Sequence, residues 1–357
     1  MKNTLCTLLL TVPLVFALGE QSSLASSDSV TNSYVTESVE IKIKERLEYG
    51  HVEFNDLNPG KQYLMKDENE LANKTLIELI NSNNELGGYM VVDHEQEYEV
   101  IEFAVGEVHP LQEVSTEETY YLGPVSYAEK VSKNELKDLK TDVLFDVAEL
   151  NNIKTWKEAN RIQSELEEDI SPSNVTDYEY KLISAVPDYQ QSNNTSMEND
   201  CVPTSAANVM MYWDAKGFPN ISPKDNWKTV ANRIGKIMGH TDSSGVSRSE
   251  IVPGLKKFLS ERGYSSSFTI SRDTSPTFNE MRSLIKNGDP SMMGTDGWMD
   301  QKGGHNITLV GYEQYYNPGK VKWYKSVIVR DNWKSTPKDV WFQFNSEDVS
   351  NIYKIVK

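Results

Sequence analysis

Cysteine is scarce in this chain of 357 residues: Cys6 and Cys201 are the only two. That excludes a disulfide-stapled scaffold, and no Cys/His spacing of the zinc type occurs. Positive charge is also in short supply. Lys and Arg number 36 against 53 Asp and Glu, a net charge of −17. Such a balance disfavours sequence-independent binding to nucleic acid or anionic lipid, both of which reward basic residues. Long apolar runs are missing beyond the first 25 residues, and no internal repeat is visible. Histidine is limited to five positions, 51, 94, 109, 240 and 305.

What is present begins with an export signal. Lys2 precedes an apolar stretch from Leu5 to Leu18, interrupted by Pro13, with small residues offering cleavage after Gly19 or Ala25. The stretch is short for a membrane span. Residues 1–25 are therefore expected to be a signal peptide, and Cys6 is expected to leave with it. Cys201 then remains as a lone thiol in an exported protein, which points to a reactive group. Residues 26–36, rich in Ser, Thr and Asn, read as a loose leader. Between about 37 and 166 the pattern is mixed. Helices are expected over 70–80, ended by Gly87-Gly88, over 125–139 and over 155–168. Two strands, 89–92 and 99–105, are expected around a polar turn at 93–97. The acidic, turn-rich stretch near 167–174 reads as the junction between an N-terminal α+β domain (26–170) and a second domain (178–357), with a linker at 171–177.

In the second domain, Ala206, Val209, Met210 and Trp213 share one helical face, and Pro203 suits a first turn. Cys201 is thus expected at a helix N-terminus, where the helix dipole favours a thiolate and free backbone N–H groups can hold an oxyanion. Of the five histidines only His305 has a context suited to a base. Gly303-Gly304 precede it and a strand, 306–312, follows it. A strand at 326–330 leads to Asp331 and Asn332, either of which could orient an imidazole through a side-chain oxygen.

Five segments in order carry a resemblance: 186–191 (VPDYQQ), 200–207 (DCVPTSAA), 254–259 (GLKKFL), 304–312 (GHNITLVGY) and 329–333 (VRDNW). They resemble papain-like cysteine peptidases, closest to the bacteriocin-processing type in a free-standing, secreted form. The resemblance implies an α+β fold, with a papain-like catalytic domain behind a smaller α+β N-terminal domain. It implies Cys201 as nucleophile, His305 as general base and acid, Asp331 as the orienting group, and Gln191 (or Gln190) as an oxyanion donor. It implies hydrolysis of a peptide or protein substrate through a thioester, without metal or cofactor. Where the family commonly has Gly after the nucleophile this chain has Val202, which puts activity in doubt. Acyl transfer to amines, or a non-catalytic binding role on a peptidase scaffold, are the rival expectations. Asp296, Trp298 and Trp333 are candidates to line the cleft. The N-terminal part, through 87–93, 100–106 and 120–124, is similar to the propeptide-like domains of secreted bacterial cysteine peptidases, which implies an intramolecular inhibitor. The expected setting is a monomer, secreted from or held at the surface of a bacterium, Gram-positive by the signal and the family.

Overall fold

In the computed structural model, residues 24–114, 116–165, 178–224, 226–295, 305–318, 320–345 and 348–357 are described. The expected signal peptide (save its last two residues), the linker, Gly303-Gly304, Asp296 and Trp298 lie outside them. No described helix is long and apolar enough to cross a membrane.

The N-terminal part opens with helix α1 (Leu24–Glu48), then strands β1 (Asn58–Lys66), β2 (Lys74–Ile80), β3 (Leu86–Asp93), β4 (Glu99–Val105), β5 (Thr119–Gly123), β6 (Ser126–Lys130), β7 (Glu135–Asp138) and β8 (Leu144–Asp146), and ends with helix α2 (Leu150–Glu165). The C-terminal part contains β9 (Glu179–Leu182), α3 (Cys201–Ala215), α4 (Trp227–Ile237), α5 (Arg248–Glu261), β10 (Thr269–Asp273), α6 (Phe278–Asn287), β11 (Ser291–Thr295), β12 (Asn306–Asn317), β13 (Lys322–Arg330), β14 (Val340–Gln343) and β15 (Val349–Val356). The mixed α/β class matches expectation, as do the β3–β4 hairpin, α2, α3, β12 and β13.

Three expectations fail for physical reasons. Residues 26–36 form part of α1 instead of a loose leader, because Val35, Val39 and Ile43 recur at four-residue spacing and are buried. Residues 74–80 form β2 instead of a helix. The strand lies between β1 and β3, and Leu76, Ile77 and Leu79 are all buried. A strand buried on both faces loses its alternation and reads like a helix. Gly87 and Gly88 accordingly sit inside β3 and terminate nothing. Residues 126–138 form the β6–β7 hairpin instead of a helix, turning at 131–135 with Val131 N–H donating to the Glu135 carbonyl.

One sheet runs through both parts in the order β10-β15-β11-β12-β13-β14-β4-β3-β2-β1-β5-β6-β7-β8, with β9 added against β12. The seam is the antiparallel pairing of β14 with β4, in register Val340↔Ala104, Trp341↔Phe103 and Phe342↔Glu102. Phe103 and Trp341 stack across it at 5.3 Å. Arg46 of α1 is fully buried over both rings and forms an ion pair with Glu313 of β12. The main hydrophobic core accordingly draws on both parts of the chain. Tyr120, Leu122, Ala128, Leu136, Phe145, Leu150 and Ile153 form a second cluster, which belongs to β5–β8 and α2 alone.

Removing one member of a buried ion pair strands the other charge, at about 3–5 kcal/mol. Arg46→Ala is expected to lower stability by that amount in urea unfolding. A loss below about 1 kcal/mol would remove Arg46 as the clamp between α1, β4, β12 and β14.

Candidate active site

Cys201 is the first residue of α3. Thr204 N–H donates to the Asp200 carbonyl at 2.8 Å, which starts the helix, and Pro203 sits in the first turn as expected. The apolar face of α3 packs into the main core, and Val202 joins it there, 5% exposed. The β-branched residue after the thiol therefore faces the interior and does not narrow the cleft. Cys201 is half-buried and carries no disulfide. The main-chain N–H groups of Asn306, Val202 and Cys201 bond its sulfur. The Asn306 contact brings the start of β12, and with it His305, beside the helix N-terminus.

His305 is buried. Its Nε2 lies 2.8 Å from the main-chain carbonyl of Asp331. A carbonyl only accepts, so Nε2 carries the proton and Nδ1 keeps its lone pair. Nδ1 is buried with no hydrogen-bond partner among the described residues. This is the tautomer a base needs. The expected carboxylate–imidazole contact is replaced, however, because Asp331 orients His305 through its backbone. Its carboxylate is engaged elsewhere: Oδ1 accepts from Trp333 N–H at 3.1 Å and Thr336 Oγ1 at 2.6 Å, and Oδ2 accepts from Lys140 Nζ at 3.2 Å.

Asn332, the alternative to Asp331, is a structural hub. It adopts φ 65°, a left-handed conformation that Asn tolerates better than most residues. Its Nδ2 donates to the Asn306 carbonyl at 3.0 Å, and its Oδ1 accepts from Asn208 Nδ2 at 2.8 Å. Its carbonyl accepts from Gln191 N–H at 3.0 Å. Asn208 lies on α3 two turns beyond Cys201, and its Oδ1 accepts from Tyr189 N–H at 2.8 Å. The glutamine pair separates: the Gln191 side chain bonds the Asp200 carboxylate beside the helix start, whereas Gln190 bonds Asp188. Cys201, His305, Asp331 and Gln191 are thus drawn to one place. Sequence reasoning missed Asn208, Thr336 and Lys140. Asn208 was hidden because a polar residue on a helix is ordinarily solvated, and Lys140 because it lies in a distant segment read as helix end.

A cleft of about 360 Å³ adjoins this place, lined by Gln191, Asp200, Asn332 and Trp333 on one side and by Lys140 and Asp142 on the other. Burial pushes the Cys201 thiol up to about 11, with Asp200 adding to it and the three N–H groups opposing. Burial, then the charge of Lys140, pushes His305 down to about 3 against the pull of the Asp331 carbonyl. The resting couple is a thiol beside a neutral imidazole. Among the described residues no group of three His, Cys, Asp or Glu side chains could hold a metal ion.

Two outcomes follow from this geometry. An unfolded imidazole takes its proton near pH 6.5, whereas folded His305 does so only near 3. Its contribution to stability is therefore full above about 6.5 and is lost as pH falls from there toward 3. His305→Asn should flatten the decline of Tm across that window relative to the parent; an identical slope would show that His305 is not held neutral. Asn208→Ala leaves the Asn332 amide and Tyr189 N–H without their partner and is expected to cost about 1–3 kcal/mol in chemical unfolding.

Residues 183–357 match the model of the peptidase C39-like family. No curated protein matches the chain significantly. A crystal structure named for a C39-like peptidase of Bacillus anthracis aligns at 18% identity with a TM-score of 0.34, over 50% of this chain and 98% of that one; at that score the likeness carries no argument. The match of residues 183–357, which begins just after β9 and takes in Cys201, His305 and Asp331, places the C-terminal part of this chain in the peptidase C39-like family.

Proposed function

We propose that the chain is a cysteine peptidase that hydrolyses peptide bonds through Cys201, His305 and Asp331. The observation that carries this reading is the His305 ring: Nε2–H is fixed on the Asp331 carbonyl and Nδ1 is left open beside the helix that begins with Cys201. Nδ1 accepts the thiol proton as sulfur attacks the substrate carbonyl carbon. The resulting oxyanion is held by the Cys201 N–H, with the Gln191 amide as second donor once it leaves Asp200. The same proton passes to the leaving amine, and a thioester remains. His305 then deprotonates a water that attacks the thioester and returns the thiol.

The signal-like segment at residues 1–25 supports export, and the family supports a bacterial peptide or protein substrate outside the cytoplasm. The N-terminal part supplies Lys140 and Asp142 to one wall of the cleft, which supports its reading as an intramolecular inhibitor. The rival reading, acyl transfer to an amine, uses the same thioester and differs only in what resolves it.

The test is prolonged incubation of the full chain with a quenched fluorescent peptide library, followed by mass analysis of products with and without added glycinamide. Hydrolysis is expected, with Cys201→Ala and His305→Ala each reducing it at least about a thousandfold. Products ending in glycinamide would shift the assignment to transfer. Turnover that survives Cys201→Ala would end the thiol mechanism.

A further inference from the structure

The strands β5–β8 form a lobe that is attached to the rest of the sheet at one narrow place. Only two parallel pairs, Met65↔Thr119 and Lys66↔Tyr120, join β5 to β1. One face of the lobe has its own apolar cluster with α2, separate from the main core. The other face packs on the main core through Tyr121, Val125 and Tyr127 and meets a buried carboxylate: Glu102 of β4 accepts from Tyr127 Oη at 2.5 Å, Tyr121 Oη at 3.3 Å and Val125 N–H at 2.6 Å.

The turn between β7 and β8 is built to present Lys140. The Asp138 carboxylate accepts from Lys140 N–H at 2.9 Å, Thr141 N–H at 2.7 Å and Thr141 Oγ1 at 2.9 Å. Leu139 N–H donates to the Tyr127 carbonyl at 2.9 Å. The backbone is fixed on both sides, and the Lys140 side chain, 4% exposed, reaches the Asp331 carboxylate. Asp331 lies 191 residues away in sequence and belongs to the proposed machinery. A buried ammonium needs an anionic partner. Glu102 and Asp138 also feel the charge of Lys140, but their own bonds go to tyrosines and turn N–H groups.

The consequence for the site is electrostatic. An ionised Asp331 next to His305 would favour the imidazolium and, through it, the thiolate. With Lys140 on the carboxylate that influence is cancelled, and the cation itself opposes a proton on His305. On the peptidase reading above, on which this rests, we propose that the β5–β8 lobe is an intramolecular latch: Lys140 neutralises Asp331 and holds Cys201 and His305 as uncharged thiol and imidazole until the lobe swings away.

The test uses the full chain and the rate of iodoacetamide alkylation of Cys201 at pH 7, with melting followed in parallel. Four proteins are compared: the parent, Lys140→Met, which keeps the length of the stem without the charge, His305→Ala, and the double variant. Lys140→Met is expected to alkylate about tenfold faster or more, the effect of one pKa unit, and the double variant to return to the slow rate. Lys140→Gln serves in place of Met should that variant not fold. A neutral Lys140 variant that alkylates at the parental rate, while His305→Ala slows the parent, would overturn the latch and leave the peptidase reading standing. Fast alkylation that persists in the double variant would mean that the thiol had merely been uncovered, and would overturn the latch as a device acting on charge. Equal rates in all four proteins would sink the latch and the thiol–imidazole couple together.

Discussion

The site depends on one buried amide network. Asn208 of α3 bonds Asn332 after β13 and Tyr189 in the loop before α3, and Asn332 bonds the Asn306 carbonyl at the start of β12. Each of these residues lies near one expected to carry chemistry: Asn306 follows His305, Asn332 follows Asp331, and Gln191 donates its own N–H to Asn332. Amides in a low-dielectric interior are costly when unpaired, so the network is satisfied as a whole or not at all. That gives α3, β12, the β13 end and the 186–191 loop a fixed mutual position. Ser205 reinforces it, donating to the Ile307 carbonyl at 2.9 Å. The reactive side chains themselves need contribute little to their own placement.

Among the ion pairs that join the N-terminal part to the C-terminal part, two that are buried on both sides differ in kind. Arg46–Glu313 sits where α1, β4, β12 and β14 converge, with the Phe103–Trp341 stack beside it. Rupture there would open the sheet at its seam and the main core with it. Lys140–Asp331 sits at the far end of a lobe held to its neighbour by two strand pairs. Separating Arg46 from Glu313 needs the sheet to unzip, whereas separating Lys140 from Asp331 needs the lobe to leave Glu102 and to uncover Tyr121, Val125 and Tyr127. The N-terminal part therefore meets the C-terminal part through α1 and β1–β4 at the seam, and through β5–β8 at Asp331 and at the edge of the main core.

The placement of the candidate site residues was more legible in the sequence than the topology. Cys201, His305 and Asp331 stand in short segments whose neighbours announce them: a helix start with Pro203, a strand after His305, a strand end before Asp331. These are local signals, and local structure followed them. Failures occurred where burial erased periodicity. In β2 the run from Lys74 to Leu79 is inaccessible on both faces apart from Glu78, so its apolar spacing matches a helix as well as a strand. In 125–139 the hairpin turns at Ser132-Lys133-Asn134, where no Gly or Pro marks it. Because that segment was read as a helix, Lys140 had no visible reason to approach Asp331. Contacts across 191 residues have no local signature, and a distant lysine paired with the orienting aspartate is the kind of feature only the fold reveals.

The protonation state of the site follows from the same burial that organises it. A thiol raised to about 11 and an imidazole lowered to about 3 describe a couple that is silent in water. Taken alone, that favours a scaffold without activity. Against it stand the tautomer of His305, the open Nδ1, and Val202, which packs inward. A scaffold that had lost its chemistry would have no need to hold an imidazole in the one tautomer that leaves its lone pair free. The cause of the silence is also divided. Desolvation is the larger part, and the Lys140 charge adds to it on His305. Moving the lobe acts on both, because it withdraws the cation and opens the wall formed by Lys140 and Asp142 to water and substrate. Exposure and charge release are then a single movement, so access to the cleft and reactivity of the thiol rise together.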